Sequence, residues 1–298
     1  MKLYYTPNAC SLADHIALLE AGARFESEAV DLRSKRTTSG EDFLAVNPKG
    51  YVPALLLDDG ETLTENVAIL DWMADQYPQL RPSGSLARTH QLEMLTFIST
   101  EIHSSYRLAW ALWNAGAEPE GKKASEKIES SLALAAGQMA GTYLFGDELT
   151  VADCYLYVML RWATRLGIAL PDALIRLQCR MEGRPAVQAA LAREEASDPH
   201  LDLFSIKSLV KENAAQHRFE RPIHNGAIAA AYYRNADDGL VFTHTEVPAA
   251  FSGQGIATDL ARGTFELLRQ SKRKAVLKDP FMVQFYARHP EYADIVAG

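Results

Sequence analysis

A chain of 298 residues, 48% of them hydrophobic, is long enough for two or three domains and apolar enough to bury real cores. Its three cysteines, Cys10, Cys154 and Cys179, are an odd number without paired spacing, which argues against a disulfide framework or a zinc site and for a reducing cytoplasm. The net charge of −8 is uneven: residues 1–204 carry 18 basic and 28 acidic side chains, residues 205–298 carry 12 and 10, so the first part is a poor nucleic-acid binder. Met1 leads almost directly into a strand rather than a secretory signal, and no apolar run approaches the roughly 20 residues of a membrane helix. No metal site is expected.

In chain order, residues 1–79 read as strand Lys2–Tyr5, helix 12–21, strand 25–30, a short helix 43–47, strand 51–57, strand 61–63 and helix 66–76 with Thr64 as N-cap. That βαβαββα order predicts an α/β domain. Residues 85–196 carry almost no strand signal. Amphipathic runs over 88–115, 122–141, 151–167, 172–182 and 185–195 predict an all-α bundle. Thr150-Val151-Ala152-Asp153 reads as a capping box opening a helix Cys154–Leu166, with Asp in place of the usual Glu, and is read as folding hardware. Ser197-Asp198-Pro199-His200 breaks the last helix, so 197–206 is the linker. Residues 207–298 then change character: strands near 207–213, 217–221, 226–234 and 239–247, a helix 254–271 and a strand near 274–278 predict an α+β domain.

Three features of the first part carry chemistry. Cys10 follows the turn Thr6-Pro7-Asn8-Ala9 and precedes a helix, where backbone N–H groups favour a thiolate and lower its pKa. Val52-Pro53 opens a strand with a residue that has no N–H to give and that could be cis, leaving the Val52 backbone able to pair with an extended peptide. Glu65 and Asn66 start the next helix, an anion site that would suit the carboxylate and amine of an amino-acid head group. On the helical half, Thr96, Thr100 and His103 fall on one face at i, i+4, i+7 spacing, with Glu101 among them. In the tail, Gly253-Gln254-Gly255-Ile256-Ala257 lies between a strand ending at Val247 and a helix, a turn whose N–H groups could hold a pyrophosphate. His244 and Glu246 are candidates for its base.

Taken together, Tyr5-Thr6-Pro7-Asn8-Ala9-Cys10-Ser11-Leu12, Asp31-Leu32-Arg33-Ser34-Lys35, the run from Asp42 to Pro53, and Leu63-Thr64-Glu65 resemble the thioredoxin-like half of a bacterial beta-class glutathione S-transferase. Phe97, Glu101, His103, Tyr106 and Thr150-Val151-Ala152-Asp153 continue the likeness through about residue 195. The resemblance implies glutathione as cosubstrate, Cys10 and His103 as catalytic residues, and Tyr5, Lys35, Tyr51, Val52, Glu65, Asn66, Thr96, Thr100 and Glu101 as the glutathione-binding set. It further implies a small-molecule electrophile as second substrate, walled by Tyr106, Trp110 and Trp113, and a cytoplasmic homodimer with neither nucleic acid nor membrane as partner. Ser104 stands where the family commonly has Lys, and Asn66 where it often has Gly or Ser.

From Arg218-Phe219-Glu220 through Pro280-Phe281 to Arg288-His289-Pro290-Glu291-Tyr292, the tail resembles small acetyltransferase-like domains of the GNAT superfamily. That likeness implies acetyl-CoA held by Val247, Gly253, Gln254, Gly255, Ile256 and Ala257. Ser252 replaces the usual Arg or Gln, and Asp279 the usual Cys. The expected protein is a thioredoxin-like plus all-helical glutathione transferase, conjugating or exchanging through Cys10, with an appended N-acetyltransferase-like domain. The alternative is an acetyl-CoA-dependent N-acetyltransferase whose front part is a dimerising scaffold or a glutathione sensor.

Overall fold

The computed structural model describes residues 1–114, 118–197, 210–223, 227–236, 239–251 and 256–297. The chain divides into two units, Met1–Ala163 with Leu170–Ile206, and Thr164–Ala169 with Lys207–Gly298. Most of the expected linker, from 198 on, lies outside the described residues.

The first unit opens with β1 (Lys2–Tyr5), α1 (Leu12–Glu20), β2 (Glu26–Asp31), β3 (Arg36–Thr37), α2 (Phe43–Val46), β4 (Ala54–Leu56), β5 (Thr62–Thr64) and α3 (Asn66–Gln76). The strands form one sheet in the order β3-β2-β1-β4-β5, with β1 parallel to β2 and antiparallel to β4. The β1-α1-β2 crossover makes the parallel pair, and hairpin geometry makes the antiparallel ones. Strand β3, absent from the expected elements, has two residues and is too short to show a period. The strand expected at 51–57 is only Ala54–Leu56, because the ladder with β1 begins at Ala54 and the cis Val52–Pro53 bond precedes it. Thr64 is not the N-cap of α3. It pairs with Ala54 in the ladder, and Glu65 makes the turn at φ +76°.

The helical part comprises α4 (Ala87–Phe97), a π-helical segment (Ile98–His103), α5 (Ser104–Asn114), α6 (Glu118–Gly137), α7 (Val151–Leu166), α8 (Asp172–Glu182) and α9 (Pro185–Glu195). The single run expected at 88–115 is therefore three pieces. Helix α7 starts at Val151 rather than Cys154. Only half of the capping box forms: the buried Asp153 carboxylate accepts the Thr150 N–H at 2.8 Å and hydroxyl at 2.7 Å, and also the Leu144 N–H at 2.8 Å. Burial still raises its pKa to about 6 against those donors.

The second unit contains β6 (Lys211–Asn213), β7 (Arg218–Pro222), β8 (Ile228–Ala236), β9 (Gly239–Glu246), α10 (Ile256–Gln270), β10 (Ala275–Leu277) and α11 (Pro280–Arg288). Its sheet runs β10-β9-β8-β7-β6, antiparallel except where β10 joins β9 in parallel across the α10 crossover. Phe219 and Phe242 of the sheet, with Leu260 and Phe265 of α10 and Phe285 of α11, close its core. A bulge lies between Tyr232 and Tyr233, which pair with His244 and Phe242. No helix among the described residues is long and apolar enough to cross a membrane.

Candidate active site

The chain around Cys10 is held by contacts from far along the sequence. Asn8, at φ +60°, tolerates the left-handed backbone that the turn needs. Its N–H donates to Glu194 of α9 at 2.8 Å, and its carbonyl accepts the Trp162 Nε1–H at 2.9 Å. Arg161 reaches its side-chain oxygen at 3.3 Å. Glu194 is buried, and burial raises its pKa although His15 lies 3.5 Å away. From this platform the partly exposed Cys10 donates its S–H to the Val52 carbonyl at 3.6 Å. Val52 stands just outside the β1–β4 ladder, so thiol and off-ladder backbone meet at one point.

The helix-start argument for a low thiol pKa does not hold here. Cys10 lies two residues ahead of α1, and desolvation pushes the thiol up to about 12. The charge of Asp14 adds to the rise, and the N–H groups of Cys10 and Ser11 only partly oppose it. At neutral pH Cys10 is an S–H group.

Glu65 and Asn66 sit at the head of α3, an 11-residue helix, and the charge of Glu65 reaches Cys10. The Glu65 carboxylate holds Lys49 at 2.6 Å, a half-exposed pair that a ligand amine could replace at little cost. Asn66 is 7% exposed and neither of its side-chain polar atoms has a hydrogen bond of normal geometry among the described residues. Its amide nonetheless lies near enough to the Tyr155 hydroxyl to act on it. An unpaired buried amide at a helix N-terminus suits a carboxylate. Lys35 (φ +58°) donates to the Gly50 carbonyl at 2.8 Å and lies 5.4 Å from the exposed Tyr51 ring.

Two groups of expected residues have their side chains engaged by other partners or turned to solvent. Tyr5 is buried, and its hydroxyl meets Ser197 Oγ at 2.6 Å, so its polar end is occupied by packing against the end of α9. The single face expected for Thr96, Thr100 and His103 is broken by the π segment, whose wider turn rotates the residues beyond it. Thr96 and Thr100 are exposed, and the Thr100 hydroxyl donates back to the Thr96 carbonyl. Glu101 pairs with Lys127 of α6 at 3.2 Å. His103 turns inward instead. Its Nδ1 lies 2.7 Å from the Tyr155 hydroxyl and its ring 5.0 Å from that of Trp162.

Behind it, the Trp162 ring lies tilted against Trp110 at 4.6 Å and edge-on to Tyr106 at 5.5 Å. Tyr106 is fully buried with its hydroxyl on the Met159 carbonyl, so it belongs to this aromatic cluster rather than to an exposed substrate wall. The Trp113 side chain lies outside the described residues. Sequence reasoning missed Asn8, Asp14 and Tyr155. Asp14 had a visible signal, an acid inside the apolar run Leu12–Leu18.

Burial, with Arg107 nearby, lowers His103 to about 4. An unfolded histidine binds its proton near pH 6.5, so between about 6.5 and 4 the unfolded chain holds a proton that the folded chain lacks. Stability should fall through that window as pH falls, by about 3 kcal/mol from this residue. All four tryptophans precede residue 163, so urea unfolding followed by tryptophan fluorescence reads the first unit. A His103→Asn variant should lose about that much less stability between pH 7 and pH 4.5 than the parent. An identical loss in both chains would refute the assignment.

In the second unit, Gly253, Gln254 and Gly255 lie outside the described residues, as does Ser252. Ile256 is 2% exposed in the core and Val247 packs against that core, so their side chains are committed to packing. Ala257 is half-buried in the first turn of α10. His244 is exposed and stacks on Tyr232, whose hydroxyl donates to Glu246. Asp279 caps α11, accepting the Phe281 N–H at 3.0 Å and the Thr245 hydroxyl, a fold-holding use of the position.

Three family models match successive parts of the chain. Residues 9–76 and 88–196 match the family models described as glutathione S-transferase N-terminal and C-terminal domains. Residues 218–295 match the one described as GCN5-related N-acetyl-transferase. The glutathione S-transferase GstA of Escherichia coli O157:H7 is 41% identical over 201 residues, covering 65% of this chain and 98% of that protein. A sphingomonad glutathione S-transferase solved in complex with glutathione is 44% identical with a TM-score of 0.60, covering 66% of this chain and all of that one. A bacterial beta-class enzyme of Sphingomonas chungbukensis is 40% identical with a TM-score of 0.59, covering 66% of this chain and all of that one. The chain belongs to the glutathione S-transferase family, alongside bacterial beta-class members, and carries beyond residue 196 a domain similar to GCN5-related N-acetyltransferases.

Proposed function

We propose that the first unit is a glutathione transferase that works on small electrophiles through Cys10. The observation that carries the reading is the meeting of the Cys10 S–H with the Val52 carbonyl, beside backbone that lies off the sheet ladder. Glutathione, a short extended peptide, would add to the edge at Val52. Its γ-glutamyl amine would displace Lys49 from Glu65, and its carboxylate would take the α3 N-terminus and the unpaired Asn66 amide. Lys35 supplies a cation for the opposite carboxylate. Glutathione would give its thiol proton to solvent, and the neutral Cys10 thiol would turn from Val52 to donate to the sulfur, favouring the thiolate so formed. That sulfur then forms a bond to the electrophile's carbon, and the leaving group departs with the electron pair. Tyr155, oriented by His103, stands next to this exchange of charge.

Thiol–disulfide exchange through Cys10 is the second chemistry open to the site. A cytoplasmic homodimer, formed through the helical part, completes the reading on family resemblance. For the tail, similarity to GCN5-related N-acetyltransferases favours acetyl-CoA as its ligand. The deciding experiment is thioether formation between glutathione and an aryl halide near pH 7. A rate well above that of glutathione alone is expected, and no excess over that background would sink the proposal.

A further inference from the structure

Tyr155 sets what His103 can do. Its side chain is buried on α7, and among the described residues the one hydrogen-bond partner of its hydroxyl is His103 Nδ1, at 2.7 Å. The nearby Asn66 amide leaves both of its polar atoms without a hydrogen bond of normal geometry. A phenol O–H shut away from water needs an acceptor, and an unprotonated ring nitrogen is one. The direction of the bond follows: Tyr155 donates and Nδ1 accepts.

The rings around His103 hold it in that pose. Tyr155 and Trp162 stand on one face of α7, two turns apart, and the imidazole meets both edge-on, at 5.9 Å and 5.0 Å. The π segment ends at His103 and turns the ring toward them. Burial and the Arg107 guanidinium keep the imidazole neutral above about pH 4, so a single nitrogen carries a proton. With Nδ1 taken as acceptor, that nitrogen is Nε2. Nε2 has no hydrogen bond among the described residues and is not sealed from solvent. The ring lies one indole away from the thiol turn, since Trp162 donates to the carbonyl of Asn8, just ahead of Cys10.

We propose that Tyr155 is a positioning residue that fixes His103 as the Nε2–H tautomer, so that the imidazole offers the site a hydrogen-bond donor and no base. The proposal rests on the reading of the Cys10 site as the transferase centre. On its open side the ring has a proton and no free lone pair, because its one basic lone pair is spent on Tyr155. His103 therefore cannot take the glutathione S–H proton, which leaves to solvent. The imidazole keeps its own proton while the sulfur–carbon bond forms and the leaving group departs with its electron pair. Toward the charge that develops there it can only donate.

The test is nitrogen-15 NMR of the histidine rings in the full chain, with His103 assigned among the eight histidines by the signals lost in His103→Gln. Near neutral pH the parent should show Nδ1 unprotonated and Nε2 protonated. Tyr155→Phe keeps the ring and removes the hydroxyl, so it should shift the Nδ1 resonance. It should also lower kcat for aryl-halide conjugation by about threefold to tenfold, the worth of one ordinary hydrogen bond, with the KM for glutathione little changed. His103→Gln carries an N–H at the reach of Nε2, and His103→Asn only at that of Nδ1. The glutamine chain should therefore keep the larger share of the rate, and adding Tyr155→Phe to it should cost little further. A parent with its proton on Nδ1 would overturn the proposal with no variant at all, and that spectrum decides the matter if Tyr155→Phe does not fold. A folded Tyr155→Phe chain with the parent's resonances and the parent's rate would overturn it as well. A parent that conjugates nothing would defeat the transferase reading while leaving the tautomer to be read.

Discussion

Replacing Cys10 with alanine is expected to slow glutathione conjugation by about ten- to a hundredfold while abolishing the mixed disulfide formed at this position, the exposed Cys179 being counted apart. The two outcomes differ because they use the sulfur differently. In conjugation the S–H stabilises the glutathione thiolate by one hydrogen bond to a charged atom, worth about 1.5–3 kcal/mol. In exchange the sulfur is itself the reacting atom and nothing replaces it. The KM for glutathione should change little, since the peptide is proposed to be held by Val52, Lys35, Glu65 and Asn66. Cys10→Ser, which keeps a donor, should recover part of the conjugation rate and none of the exchange. Steady-state kinetics of the three chains decide the matter. Full conjugation by the alanine variant would remove Cys10 from the mechanism.

The second large effect is on stability. Trp162 is 2% exposed, packed against His103, Tyr106 and Trp110, and donates its Nε1–H to the Asn8 carbonyl. Trp162→Ala should cost about 3–5 kcal/mol, the range for emptying an aromatic site in a packed core. Urea unfolding followed by far-ultraviolet circular dichroism would register it as a lower midpoint. Trp162→Phe keeps much of the packing and loses the donor, and should cost less, about 1 kcal/mol of the difference being the hydrogen bond. An alanine variant as stable as the parent would mean that the cluster collapses without loss. That outcome would contradict the close packing seen around the indole.

What could be read from sequence divides along a physical line. Elements with a long period, α1, α3, α8 and α9, stood out because hydrophobic spacing reports burial directly. The residues of the site with local meaning, Cys10 after its turn, the Val52–Pro53 pair and Glu65-Asn66 at a helix start, were equally legible. The failures lie where tertiary structure overrides a local rule. Ideal 3.6-residue spacing aligned Thr96, Thr100 and His103, and one π segment sent the threonines outward and the histidine inward. The helix-start rule predicted an acidic thiol, and desolvation by surroundings that no local window contains reversed it. Tyr155 was invisible because nothing in Asp153-Cys154-Tyr155-Leu156 says that its hydroxyl meets a histidine 52 residues earlier.

The hold on Asn8 has a consequence for the order of events in synthesis. Residues that brace the turn before Cys10 lie 153, 154 and 186 positions downstream, at Arg161, Trp162 and Glu194. Chains emerge from the ribosome N-terminus first, and contacts this distant must wait for the loop between them to close. The thiol is made before any of these braces, and its cradle is finished only once Glu194, 186 positions beyond Asn8, has been added. During that interval Cys10 belongs to a nascent chain without its shelter. Its maturity as a chemical group is therefore dated by the completion of α9, the last helix of its unit among the described residues.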